Sequence, residues 1–267
     1  MTFASLKRTF ERAPRCFSPF FVLGDPTPEI SVELCCAAVR AGAEALELGL
    51  PFSDPIADGP EIAAAGHRAR AAGTTTDVAL RCLERIAERT SVPLNLLVYG
   101  NLVHARGADT FCRDVVDAGA SSLLVPDVSL EESEGLQVAC RAAGLGHVAL
   151  VGPSTSEERL AAIDAAATAF LYLVSHQGTT GVRHDHDRGL GALVQRVSSS
   201  TNNPVCVGFG LSERAHLDLV FDSGAKLAVV GSAIARVIRT CSASSAADLV
   251  SRIEARCREL STPVPTL

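Results

Sequence analysis

The densest set of side chains able to move protons lies in one early run, ALELGLPFSDPIADGP, from Ala45 to Pro60. Glu47 interrupts an otherwise apolar stretch, and a loop holding prolines, aspartates and a glycine follows. A carboxylate in a buried strand is costly unless paired or used, and burial raises its pKa toward the range useful for proton transfer. One such acid alone is as well explained by a structural hydrogen bond to a neighbouring strand as by catalysis. Asp58 lies eleven positions on, at the far end of the loop, where a returning chain can bring it across the same mouth. Two acids in unlike environments can do two jobs. Asp54, between Ser53 and Pro55, reads instead as a turn former or capping residue.

A second group suited to binding is the late glycine set Gly178, Gly181, Gly208, Gly210 and Gly231. In VGFGLS (Val207 to Ser212) and VVGSAI (Val229 to Ile234), small residues let backbone N–H groups approach an anion, and the Ser232 hydroxyl adds a donor. Any one such glycine is more often a simple turn. Two in consecutive units, at the end of the chain where barrels hold phosphate, form a stronger signal. The third place is FLYLVSHQGTTGVRHDHDRG, Phe170 to Gly189, a strand leading into a long polar loop suited to act as a lid. His184, Asp185, His186 and Asp187 read as a solvated loop rather than a metal site, because no third ligand stands at a recognisable spacing. His67, His104, His147 and His216 fall on helical or edge positions and carry no functional reading.

The elements that must position these groups follow a recurring unit: a helical pattern ending at glycine, then a short apolar run, then polar or glycine-rich residues. It covers Val39 to Gly49, Val116 to Asp127, Arg141 to Gly152 and Asp222 to Ser232. Gly42, Gly119, Gly144 and Gly224 stand where a helix C-cap adopts positive φ. The apolar runs lack alternation, as in strands buried on both faces of a parallel sheet. Candidate strands lie near Phe17 to Leu23, Ala45 to Leu48, Leu94 to Tyr99, Ser122 to Val125, Val148 to Val151, Ala169 to Val174, Val205 to Val207 and Leu227 to Val230. Between them run amphipathic helices such as Asp77 to Glu88, with Val78, Leu80, Cys82, Leu83 and Ile86 on the apolar face. Such alternation fits a closed barrel or an open doubly wound sheet, and eight units favour the barrel. The expectation is an α/β chain, a (β/α)8 TIM barrel forming a single domain over residues 1–267, with an extra N-terminal helix and a frayed tail at 260–267.

The 267 residues are 47% hydrophobic and 20% charged, enough apolar material for an extensive core. A net charge of −6, with Lys and Arg scattered, excludes a nucleic-acid footprint. Nine cysteines, an odd count set mostly in apolar patterns, read as buried free thiols in a reducing compartment. With no window apolar enough to span a membrane, the expected location is cytoplasmic.

The run ELGLPFSDPIADGP, from Glu47 to Pro60, closely resembles the signature of the tryptophan synthase alpha subunit family. The resemblance continues in PFFVLGDP (Pro19 to Pro26), LLVYGNLV (Leu96 to Val103), YLVSHQGTTG (Tyr172 to Gly181), GFG (Gly208 to Gly210) and GSAI (Gly231 to Ile234), in the family's order. It implies a carbon–carbon lyase that cleaves indole-3-glycerol phosphate to indole and glyceraldehyde 3-phosphate by a retro-aldol step in tryptophan biosynthesis. By the same resemblance, Glu47 is the proton shuttle, and Asp58 bonds the indole N–H and stabilises positive charge on the ring. Phe20, Leu97, Tyr172 and Phe209 fall on the indole pocket and its rim, and Gly181, Gly210, Gly231 and Ser232 on the phosphate site. Thr180 falls on the loop residue that positions the aspartate. No cofactor is implied in this chain; pyridoxal phosphate belongs to a beta partner in an alpha2-beta2 complex, met through Asp54, Pro55, Asn101, Asp127 and Ser129. Ser129 stands where the family usually has proline, and His176 where the loop usually has arginine. The alternatives are a stand-alone lyase releasing free indole, a catalytically weak subunit that activates its partner and, more distantly, another phosphate-binding barrel.

Overall fold

Helices ending at glycine do hand over to short buried strands in the computed structural model, which describes residues 3–174, 187–241 and 245–261. The strands are β1 (Cys16–Val22), β2 (Leu46–Gly49), β3 (Leu94–Leu97), β4 (Ser122–Leu124), β5 (Gly146–His147), β6 (Ala149–Val151), β7 (Leu171–Leu173), β8 (Val205–Val207) and β9 (Leu227–Val230). All pair in parallel, in the order β5-β4-β3-β2-β1-β9-β8-β7-β6. β5 and β6 are separated only by Val148. The segment 146–151 therefore faces β4 with its first half and β7 with its second, and the pairing returns on itself. Counting that segment as one stave makes the nine strands an eight-staved (β/α)8 barrel.

The expected strand from Val148 to Val151 thus begins earlier, at Gly146, and is broken where the sequence is most uniformly apolar. Gly42, Gly119, Gly144 and Gly224 all have positive φ, between 71° and 109°, as the C-cap reading requires. The helix expected from Asp77 spans Thr76–Arg89, and the Thr75 side chain accepts from the Val78 N–H. Its buried face uses Ala79 in place of Val78, which is half-buried. Leu260 and Ser261, expected in the frayed tail, are tied down: Leu260 is 1% exposed at the end of helix Ala246–Leu260, and the Ser261 hydroxyl donates to Ala41 O at 2.8 Å. His147, expected at a helical or edge position, is a buried strand residue whose Nδ1 lies 3.1 Å from Ala166 O.

Successive strand residues alternate between two apolar layers. Phe17, Phe21, Leu46 and Leu48 face the helices, whereas Phe20, Val22, Leu124, Val148, Tyr172, Cys206 and Val229 fill the barrel. Register places Phe20, Glu47 and Asn95 side by side on β1, β2 and β3, which puts Glu47 in the inner layer. The N-terminal helix Phe3–Arg12 closes the lower end: Leu6 is fully buried, and Phe10 meets Phe170 edge-on at 6.2 Å. Chemistry is left to the opposite mouth, where the strands end. Among the described residues no helix is long and apolar enough to cross a membrane.

Candidate active site

Glu47 projects from the middle of β2 and is 3% exposed. Burial pushes its pKa up to about 8, against the opposing pull of the Tyr172 hydroxyl, which donates to Oε2 at 3.0 Å. Near neutral pH the group therefore holds a proton that it can give away. Tyr172 reaches it from β7 because Gly208 has no side chain: a Cβ there would stand 1.7 Å from the tyrosine hydroxyl oxygen.

The loop after β2 returns through short turns, Ile56 N–H to Asp54 O at 2.9 Å and Asp58 N–H to Pro55 O at 3.1 Å. Asp54 thus serves a turn, as its sequence context predicts. Tyr99, just after β3, anchors the loop: its hydroxyl accepts from the Ala57 N–H at 3.1 Å and its ring stacks on Phe52 at 5.1 Å. Asp58 is held at the mouth with its pKa pushed to about 6 by burial, an effect opposed by the Tyr99 hydroxyl. Asp58 is therefore mostly ionised at neutral pH while Glu47 is mostly protonated. Two carboxyls of one segment have been driven apart by their surroundings.

Both acids line a cavity of 830 Å³ at the C-terminal mouth, a size suited to a small-molecule substrate. Phe20, Leu97, Tyr172 and Phe209 supply apolar walls to the same cavity; the Tyr172 and Phe209 rings meet edge-on at 6.0 Å. Gly210, Gly231 and Ser232 line it at the ends of β8 and β9. Gly231 caps helix Ser232–Thr240 with no side-chain bond to the first turn, leaving N–H groups there for an anion. Thr180 and Gly181 lie outside the described residues, as do Gly178, His176 and the whole loop 175–186. So do His184, Asp185 and His186; among the described residues no group of three possible ligands is placed to hold a metal.

The residues expected to face a partner lie on the loops after β2 and β4 and, for Asn101, at the start of the helix Gly100–Arg106 that follows β3. Asp54, Asn101, Asp127 and Ser129 are exposed and Pro55 is half-buried. Asp127 accepts the Gly100 N–H at 2.8 Å, and Ser129 takes the place of a ring with a hydroxyl that donates to Glu132 at 2.9 Å.

Sequence reasoning missed Tyr99 as the anchor of the acidic loop, and Leu124, Pro126 and Leu150 as further cavity walls. It also missed Arg236 and Arg256, which line the cavity. Arg236 was open to detection, since it stands four residues after Ser232 and so on the same helical face.

A family model described as tryptophan synthase alpha chain matches residues 3–264. The tryptophan synthase alpha chain of Methanothermobacter thermautotrophicus is 42% identical over 235 residues, covering 88% of this chain and 87% of its own. That of Corynebacterium glutamicum is 39% identical over 224 residues, covering 83% and 80%. Among solved structures, a chain of the tryptophan synthase a2b2 complex from Pyrococcus furiosus superposes with a TM-score of 0.85 at 31% identity, covering 93% of this chain and 98% of that one. A chain of Mycobacterium tuberculosis tryptophan synthase gives 0.85 at 31% identity, with 96% of each chain covered.

Proposed function

From the premise that the chain belongs to the tryptophan synthase alpha chain family, we propose that Glu47 and Asp58 carry the family reaction in this protein. The chain is a lyase that cleaves indole-3-glycerol phosphate to indole and glyceraldehyde 3-phosphate, and its partner is a tryptophan synthase beta subunit.

Protonated Glu47 gives its proton to the ring carbon that bears the glycerol chain, leaving positive charge shared with the ring nitrogen. Ionised Asp58 accepts a hydrogen bond from that N–H and stabilises the charge. The Glu47 carboxylate then takes the proton of the hydroxyl on the adjoining side-chain carbon. The O–H electron pair becomes the carbonyl bond of glyceraldehyde 3-phosphate, the carbon–carbon bond breaks, and its electrons restore neutral indole. Glu47 ends the cycle protonated, as it began. The phosphate sits against backbone N–H groups at Gly210, Gly231 and Ser232, and the family resemblance assigns Gly181 to the same site and Thr180 to the positioning of Asp58.

The observation that carries this reading is that two carboxyls of one segment, Glu47 deeply buried on β2 and Asp58 at the mouth, line one cavity together with Gly210, Gly231 and Ser232. Its test is to mix purified chain with indole-3-glycerol phosphate, with and without a beta subunit, and to measure indole and glyceraldehyde 3-phosphate. Equimolar release supports the reading; no release in either mixture overturns it. Asp54, Pro55, Asn101, Asp127 and Ser129 are the proposed beta-facing residues.

Three further outcomes follow from the same groups. In the free enzyme, kcat/KM should fall below pH about 6, as Asp58 takes up a proton, and above pH about 8, as Glu47 loses its own. Tyr172→Phe removes the bond that lowers the Glu47 pKa, so the alkaline limb of the profile should move to higher pH. The loss in kcat should be modest, up to about tenfold, since one neutral hydrogen bond is at stake. Gly208→Ala displaces the same hydroxyl and should move that limb in the same direction.

A further inference from the structure

Helix Ser232–Thr240 offers the cavity more than its first turn. Ser232 and Arg236 both line the space, and at a separation of four they share one face of the helix. Helical side chains lean back toward the N-terminus, so the long stem of Arg236 runs toward the turn that opens at Ser232. Among the described residues lining the cavity, Arg236 and Arg256 are the only cationic side chains. Arg256 is committed elsewhere, donating to Ser212 O and, at 2.7 Å, to Glu259. Arg236 stands 3.6 Å from the Glu61 carboxylate, an ion-pair distance too long for a good hydrogen bond. Glu61 has a closer partner in Arg239, whose Nε and Nη2 donate to its two oxygens at 2.9 and 3.1 Å. One bidentate arginine satisfies a carboxylate. The second, with half of its side chain exposed, can turn away at little cost.

We propose that Arg236 is a further substrate-binding residue, a cation that swings from Glu61 onto the substrate's phosphate, and that Glu61 and Arg239 set how readily it does so. The proposal rests on the reading of the cavity as the indole-3-glycerol phosphate site, with the phosphate at the start of this helix. A phosphate monoester carries a charge of about −1.5 to −2 near neutral pH. The backbone N–H groups at Gly210, Gly231 and Ser232 answer it with dipoles but no net charge. A guanidinium adds the charge and a fork of donors matched to phosphate oxygens. Glu61 lines the same cavity, and its carboxylate would repel the phosphate were it not paired. Arg239 supplies that pairing, which leaves Arg236 for the substrate.

The test measures steady-state kinetics with indole-3-glycerol phosphate, inhibition by inorganic phosphate and binding of indole, which has no phosphate. Arg236→Gln should raise both KM and the inhibition constant of inorganic phosphate by about tenfold, the scale of one charged hydrogen bond, with little change in kcat or in indole affinity. Glu61→Gln removes the competitor and should tighten inorganic phosphate when Arg236 is present; in the Arg236→Gln background most of that gain should vanish. Arg239→Gln leaves Glu61 to take Arg236 and should weaken phosphate binding. An inhibition constant unchanged in Arg236→Gln would overturn the inference while cleavage by the wild type still upheld the reading of the cavity. A loss shared equally by indole, or a Glu61→Gln gain of the same size with and without Arg236, would overturn it as well. A wild type that releases no indole would overturn the reading of the cavity and this inference together.

Discussion

Glu47→Gln should reduce indole release by a factor near the top of the range of about 10²–10⁴ that positioned acid–base groups contribute, because one side chain serves both proton transfers. Gln keeps the shape and can still accept from Tyr172, so the loss should lie in kcat with little change in KM. The same substitution should stabilise the fold at alkaline pH. The folded-state pKa of Glu47 is raised from 4.5 to about 8, so its favourable contribution is complete below 4.5 and is lost as pH rises through about 8. Gln carries no proton to lose. The difference in Tm between variant and wild type should therefore grow from about pH 4.5 to about 8 and level off above. Wild-type turnover in the variant, or a Tm difference independent of pH, would remove Glu47 from the role given to it.

Asp58→Asn should lower kcat by about 10²–10³, the scale of removing one preorganised electrostatic contact to a developing charge. Asn can still accept a hydrogen bond from the ring N–H in the ground state, so KM should move little; the missing quantity is the negative charge. Asp58→Glu tests this separately. It restores the charge at a displaced position and should recover part of the rate. An Asn variant with normal kcat would show that Asp58 serves only the loop that Tyr99 anchors.

What could be read from the sequence divides along physical lines. Glu47 was legible because a lone charge in an apolar run violates the cost of burial, and the strand staves were legible because glycines mark helix ends at a regular interval. The break at Val148 was not, since VALV is uniformly apolar and the parting depends on how two neighbouring strands diverge. Leu124 and Leu150 belong to the inward parity of their strands, yet parity is fixed only by register against a known inward residue, and register is a property of the sheet. Tyr99 lay inside a recognised block, but its bond to Ala57 joins segments 42 residues apart and has no local signature. The opposite charge states of Glu47 and Asp58 likewise depend on how deeply each is packed, which spacing alone does not give.

The amphipathic segment Phe3–Arg12 has a bearing on traffic as well as on packing. By stoppering the floor of the staves it makes the cavity a blind well, so indole leaves through the doorway its precursor entered. Asp54 and Asp127 lie on the segments after β2 and β4, at the C-terminal ends of the strands where that doorway opens. A beta subunit seated on those proposed contacts would stand beside that outlet.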